Sequence, residues 1–82
     1  MNNKKIGTIT HYYDRLGVGI IKLSDDIKVG DKIRIIGSTT DFEQNVLELQ
    51  FNHQNIEEGK GGQEVGIKVN EKVREGDEVF LV

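Results

Sequence analysis

The sequence predicts an all-β protein, a small six-stranded antiparallel barrel that is closed or nearly closed. Three observations carry that expectation. Ten glycines and no proline punctuate the 82 residues. Between them lie short runs rich in Ile, Val, Thr and Tyr, the types that suit a pleated, half-buried surface. A glycine followed by a polar residue also recurs just before such runs, at Gly30-Asp31-Lys32-Ile33, Gly62-Gln63-Glu64-Val65 and Gly76-Asp77-Glu78-Val79. Gly accepts the φ > 0 that a tight turn demands, and Asp bonds nearby backbone N–H groups. Closure follows because a sheet so rich in Ile and Val needs its edges hidden.

Taken in order, Ile6 to Tyr13 is β-branched and aromatic and reads as the first strand. Asp14-Arg15-Leu16-Gly17 turns the chain into a second strand, Val18 to Leu23. Ser24 to Asp31 is a longer connection. The third strand, Lys32 to Gly37, places Ile33 and Ile35 on one face and Lys32 and Arg34 on the other. From Phe42 to His53, Leu47, Leu49 and Phe51 alternate with Glu48, Gln50 and Asn52. Phe42, Val46 and Leu49 also fall at helical spacing, but the alternation favours one long strand, with a bulge near Val46-Leu47 where the apolar phase slips. Glu57 to Gly62 reads as a flexible loop, Glu64 to Val69 as the fifth strand and Glu78 to Val82 as the sixth.

Eighty-two residues make one domain, 1–82, which buries only about 60–65% of the surface its unfolded chain exposes. Without cysteine there are no disulfides and no thiolate metal sites. Residues Met1 to Lys5 are polar, with no apolar signal core behind them, and no apolar run nears the ~20 residues of a membrane span. The expectation is a soluble, cytoplasmic chain with no membrane partner. Net charge is −3 overall, but +3 over residues 1–40 and −6 over 41–82. Only the first half offers a basic face to nucleic acid.

Most catalytic classes lack their residues. The two serines, Ser24 and Ser38, sit in expected loops without a neighbouring histidine. His11, His53 and Asp14 fall short of a metal-ligand set. Gly17-Val18-Gly19 has Lys22 where a phosphate-binding loop needs a third glycine, and no helix follows. The adjacent acids Asp25-Asp26 and Glu57-Glu58 diverge in a loop and share no proton. No enzymatic activity, metal or nucleotide cofactor is expected. His11-Tyr12-Tyr13-Asp14-Arg15 is the candidate binding segment, because aromatic faces stack and Arg15 can pair bidentately with phosphate or carboxylate. Tyr12 and Tyr13 point to opposite faces, so one is expected in the core and the other exposed. Lys22, Lys32 and Arg34 are candidates to extend a basic patch beside them.

Gly19-Ile20-Ile21-Lys22, Lys28 to Gly37, Ile56 to Ile67 and Arg74 to Val79, in that order, resemble domain II of translational GTPases, the β-barrel of elongation factor Tu and its relatives. Thr39 to Gln44 resembles the same segment in small free-standing translation-factor-like proteins and in the C-terminal barrel of collagenase-like peptidases. The resemblance covers Gly7 to Phe80 and implies a domain II-type barrel. Glu64 stands where elongation factor Tu has an Asn lining its aminoacyl pocket, so aminoacyl-tRNA recognition is not implied. The resemblance instead implies a non-enzymatic binding module for RNA, the ribosome or a translation-linked protein, through Tyr12, Tyr13, Arg15, Lys32 and Arg34. The alternative is a protein–protein adaptor barrel related to the accessory domain of the peptidases.

Overall fold

A computed structural model describes residues 4–82; most of the polar start from Met1 to Lys5 therefore lies outside the described residues. The strands are β1 (Lys4–Tyr13), β2 (Val18–Leu23), β3 (Ile27–Lys28), β4 (Lys32–Ile36), β5 (Asp41–Asn45), β6 (Leu49–Phe51), β7 (Gln54–Ile56), β8 (Glu58–Gly59), β9 (Glu64–Lys68) and β10 (Glu78–Leu81). Eight of them form one antiparallel sheet in the order β5-β4-β10-β1-β2-β9-β6-β7, and β3 pairs with β8 in a separate two-stranded ribbon. The sheet curls into a half-barrel around a core that includes Ile9, Ile21, Ile33, Ile35, Val65, Ile67 and Val79.

This all-β antiparallel architecture agrees with the sequence, but the barrel is not six-stranded and not closed. The difference arises at the long strand expected from Phe42 to His53. Val46 is fully buried. Its N–H donates to the Asp31 carbonyl at 2.8 Å, and its own carbonyl accepts from the Gly30 N–H at 2.9 Å. Val46 thus extends the β4–β5 pairing by one irregular step, with Gly30 and Asp31 together opposite it, and the pairing ends there because the chain before Gly30 turns away. Leu47 and Glu48 then point outward and carry the chain from one edge of the sheet to the other. The phase slip at Val46-Leu47 is therefore a crossing between edges rather than a bulge. Asn52 and His53 reverse the chain again, splitting β6 from β7.

Across this unpaired seam a side chain takes the place of a backbone ladder. The buried Gln44 amide donates to the Lys68 carbonyl at 2.8 Å and accepts from the Asn70 N–H at 2.7 Å. Its donor and acceptor are both met, as a buried amide requires.

The three Gly–polar recurrences are one turn used three times. In Lys28–Asp31, Lys60–Gln63 and Arg74–Asp77, the fourth residue's N–H donates to the first residue's carbonyl at 3.1, 3.0 and 3.0 Å. The fourth side chain returns the bond, accepting from the first residue's N–H at 3.0, 2.8 and 2.9 Å. The third residue is Gly at φ 98°, 96° and 93°, a region that a Cβ would make strained. Asp77 does this from inside, at 4% exposure.

Candidate functional site

The candidate segment His11 to Arg15 ends β1 and turns into β2. As the alternation predicts, Tyr12 is half-buried and packs on the core, while Tyr13 is 47% exposed. The His11 ring meets Tyr13 edge-on, with centroids 4.4 Å apart, and its Nδ1 lies 3.6 Å from a Glu75 carboxylate oxygen. Arg15 is exposed at the tip of the turn.

Lys32 and Arg34 do not join this group. Arg34 is in register with Phe80, and Phe80 with Lys5, at the opposite end of β1 from Tyr13. Eight residues separate Lys5 from Tyr13, on the order of 25 Å of strand. Lys22, opposite Thr8, donates to the Gly62 carbonyl and is likewise apart. The expected continuous basic patch is thus divided.

Its cations are also engaged. Arg34 binds Asp41 with two bonds, Nε to Oδ1 at 2.9 Å and Nη2 to Oδ2 at 3.0 Å. These bonds raise the Arg34 pKa and hold the Asp41 carboxyl below its ordinary value. Lys32 pairs with Glu43 at 3.3 Å and Lys5 with Glu78 at 2.8 Å. Strand pairing lays three acids of the second half, Asp41, Glu43 and Glu78, beside bases of the first.

What the turn after Tyr13 does border is an apolar groove on the outer face of β2, β9 and β6. Along β2 the residues Gly19, Ile21 and Leu23 face the core, which leaves Val18 and Ile20 outward. Ile20 is opposite Gly66 of β9, and Gly66 is opposite Gln50 of β6. Gly66 forms the floor. A Cβ there would meet Val18 Cγ1 at 3.4 Å and Ile20 Cδ1 at 3.6 Å, ordinary contact distances, so the missing side chain leaves a trough rather than relieving a clash. Tyr13, Leu16, Phe51 and His53 stand around a space of ≈ 430 Å³. The Lys68 ammonium donates to the Leu16 carbonyl at 2.8 Å and pins the turn beside this face.

The groove has a carboxylate toward each end. Glu64 lines it with Ile20 and His53, and Glu48 lines its continuation with Leu16 and Lys68. Neither glutamate forms an ion pair among the described residues; Glu64 accepts only a 3.3 Å bond from the Thr10 hydroxyl. At the rim, Asn52 and His53 have φ of 53° and 62°. The second of two left-handed residues in a hairpin turn is commonly Gly. A histidine there costs on the order of 1 kcal/mol.

The sequence reading included Tyr13 but missed Leu16, Val18, Ile20, Phe51 and Gly66. Two signals were present. Val18-Gly19-Ile20-Ile21 is apolar on both faces of its strand, and Gly66 interrupts a strand of otherwise good formers. Among the described residues, no group of three or more His, Cys, Asp or Glu is gathered as a metal site, and no helix is long and apolar enough to cross a membrane.

No protein-family model matches the chain. It is 44% identical over 79 residues to an uncharacterised protease of Methanocaldococcus jannaschii, a match that takes in 95% of this chain and 19% of the protease. It is 36% identical over 77 residues to a collagenase of Porphyromonas gingivalis, covering 92% of this chain and 21% of the collagenase. The chain thus spans about a fifth of the length of these relatives. Among solved structures, the C-terminal domain of a Geobacillus thermoleovorans protein assigned to the U32 peptidases superposes with a TM-score of 0.90 at 15% identity, over 96% of this chain and 92% of that one. The resemblance to translational GTPases has no counterpart among these relatives. The chain has the fold of a U32 peptidase C-terminal domain and is similar in sequence to the corresponding fraction of protease and collagenase chains.

Proposed function

We propose that this protein is a non-catalytic accessory module of the kind found in collagenase-like peptidases, and that it docks polypeptide through the groove over Gly66. The carrying observation is the 44% identity that runs along 95% of this chain while touching only 19% of the archaeal protease. The surface supports a docking role. Large apolar side chains, Leu16 at 60% exposure and Tyr13 at 47%, border an open groove, and grooves of this kind commonly receive partners. The two serines stand at positions 24 and 38, in connections between strands, and the histidines sit on β1 and on the β6–β7 turn. No nucleophile and base are paired among the side-chain hydrogen bonds of the described residues. A cytoplasmic location, expected from the absence of cysteine, belongs to the same reading.

The test uses the archaeal protease deleted of its matching segment. Mixed with this chain, the truncated protease should form a complex in sedimentation velocity that persists from about 50 to about 500 mM salt, since apolar docking is little screened. Recovery of RNA that is lost over the same salt range would instead identify a nucleic-acid module, whose affinity falls steeply with salt. Hydrolysis of peptide by the purified chain alone would remove the non-catalytic part of the reading.

A further inference from the structure

We infer that residues 68–70 form a two-sided strap that joins the β1–β2 turn to the seam of the half-barrel, so that turn and seam loosen as one unit. Such a strap acts within the chain, whatever docks on the outer face. The polar groups of this short segment, which continues from the end of β9, reach in two opposite directions. Toward the turn, the Lys68 ammonium donates to the Leu16 carbonyl at 2.8 Å, and the Val69 N–H donates to the Gly17 carbonyl at 2.9 Å. Toward the seam, the Lys68 carbonyl accepts from the Gln44 amide at 2.8 Å, and the Asn70 N–H donates to the same amide at 2.7 Å. Three consecutive residues are thus gripped from both sides. Among the described residues Gln44 makes no hydrogen bond to the turn itself, so the hydrogen-bonded path between them runs through the strap.

Packing lets the strap transmit. Val69 is buried, and the bare Gly19 of β2 gives it room: a Cβ there would lie 3.6 Å from Val69 Cγ1 and 3.2 Å from Val73 Cγ2. Lifting Val69 from this seat strains both sides at once, because its own N–H is bonded to the turn and its two neighbours are bonded to Gln44. Downstream the chain is free to follow. The backbone of Glu71, Lys72 and Val73 enters no hydrogen bond among the described residues, and the next tie is the Arg74 N–H to the Asp77 carboxylate at 2.9 Å. The strap is therefore either seated or lifted, and the turn and the seam bias that one equilibrium together. An opening of this kind breaks few bonds and spares the rest of the sheet. By linkage, whatever fixes the turn tightens the seam by the same factor, and the reverse.

Native-state digestion with trypsin tests this on the intact chain, because Arg15 supplies a cleavage site at the tip of the turn. Cleavage of a folded chain tracks the population of the locally open form. Gln44→Ala alters no atom of the turn, yet it should speed cleavage after Arg15 by about fivefold or more. Cleavage after Lys28 and Lys60, which open two turns away from the strap, should change by less than about twofold and is the internal reference. Lys68→Met, which removes the pin on Leu16 directly, should speed the Arg15 cut as well. Thermal melting establishes that each variant is folded. Should Gln44→Ala not fold, Gln44→Glu takes its place, since it keeps an acceptor for the Asn70 N–H and loses the donor to the Lys68 carbonyl. An unchanged rate after Arg15 in either folded variant would overturn the inference, because the turn would then move independently of the seam. Equal acceleration after Arg15, Lys28 and Lys60 would overturn it too, as a general loss of stability.

Discussion

The two faces of strands β2 and β9 have opposite designs. Inward, Ile21, Val65 and Ile67 are completely buried and set among other Ile and Val side chains. Outward, the same strands present Val18, Ile20, Gly66 and Lys68 around a trough left unfilled. The inner face spends its apolar surface on stability. The outer face leaves Val18 and Ile20 half-buried among Lys22, Glu64 and Lys68 and places a glycine where a strand former would fit. The contrast teaches that the fold and the candidate site are written in alternate residues of one segment, so they are separable by mutation.

The largest expected effect is on the inner face. Ile67→Ala should cost about 2–5 kcal/mol by denaturant unfolding, because a fully buried aliphatic side chain is replaced by a cavity. A loss below about 1 kcal/mol would show that the core repacks and that the two faces are less distinct than described. Next comes the seam. Gln44→Ala should cost about 1–3 kcal/mol, since it leaves the Lys68 carbonyl and the Asn70 N–H without their partner. Gly66→Ala should move stability by less than about 1 kcal/mol, in either direction, while lowering groove occupancy. A large destabilisation there would mean that Gly66 serves the fold, and the separation of faces would fail.

The smallest effect concerns the exposed Arg34–Asp41 pair. The folded-state pKa of Asp41 is lowered, first by the hydrogen bonds from Arg34. Its contribution is therefore present above the ordinary carboxylate value of about 3.9 and is lost as pH falls through the lower, folded value. Melting of Asp41→Asn should accordingly converge on wild type at acid pH and differ from it only above that window. A constant offset at all pH values would assign the pair a packing role instead of an electrostatic one.

The legible parts of this molecule are those decided by neighbours in sequence. The second strand was expected at Val18 to Leu23 and is found there, and β4, β9 and β10 begin at the expected Lys32, Glu64 and Glu78. Each of those three follows a Gly–polar turn whose hydrogen bonds lie within four residues. The region from Phe42 to His53 was misread because its conformation is set from afar, by Gly30 and Asp31 binding Val46 and by Gln44 reaching Asn70. Strands β3 and β8, two residues each, are too short for any period to show. At the site, the aromatic pair was legible from alternation alone. The groove was not, since Leu16 and Ile20, Phe51, and Gly66 come from three separate parts of the chain that meet through strand register.

The Gln44 clip has a consequence in time as well as in energy. A ladder of backbone bonds opens cooperatively, but a single side-chain amide can let go with one rotation about its own bonds. The Asn70 amide hydrogen, held by Gln44 alone, should therefore exchange with solvent through brief, local excursions that leave the sheet intact. The amide of Ile21 lies in the buried middle of the sheet, between β1 and β9, and should exchange only when the whole molecule unfolds. The half-barrel is thus a curled wall with a latch across its seam, and these two protons report the wall and the latch separately.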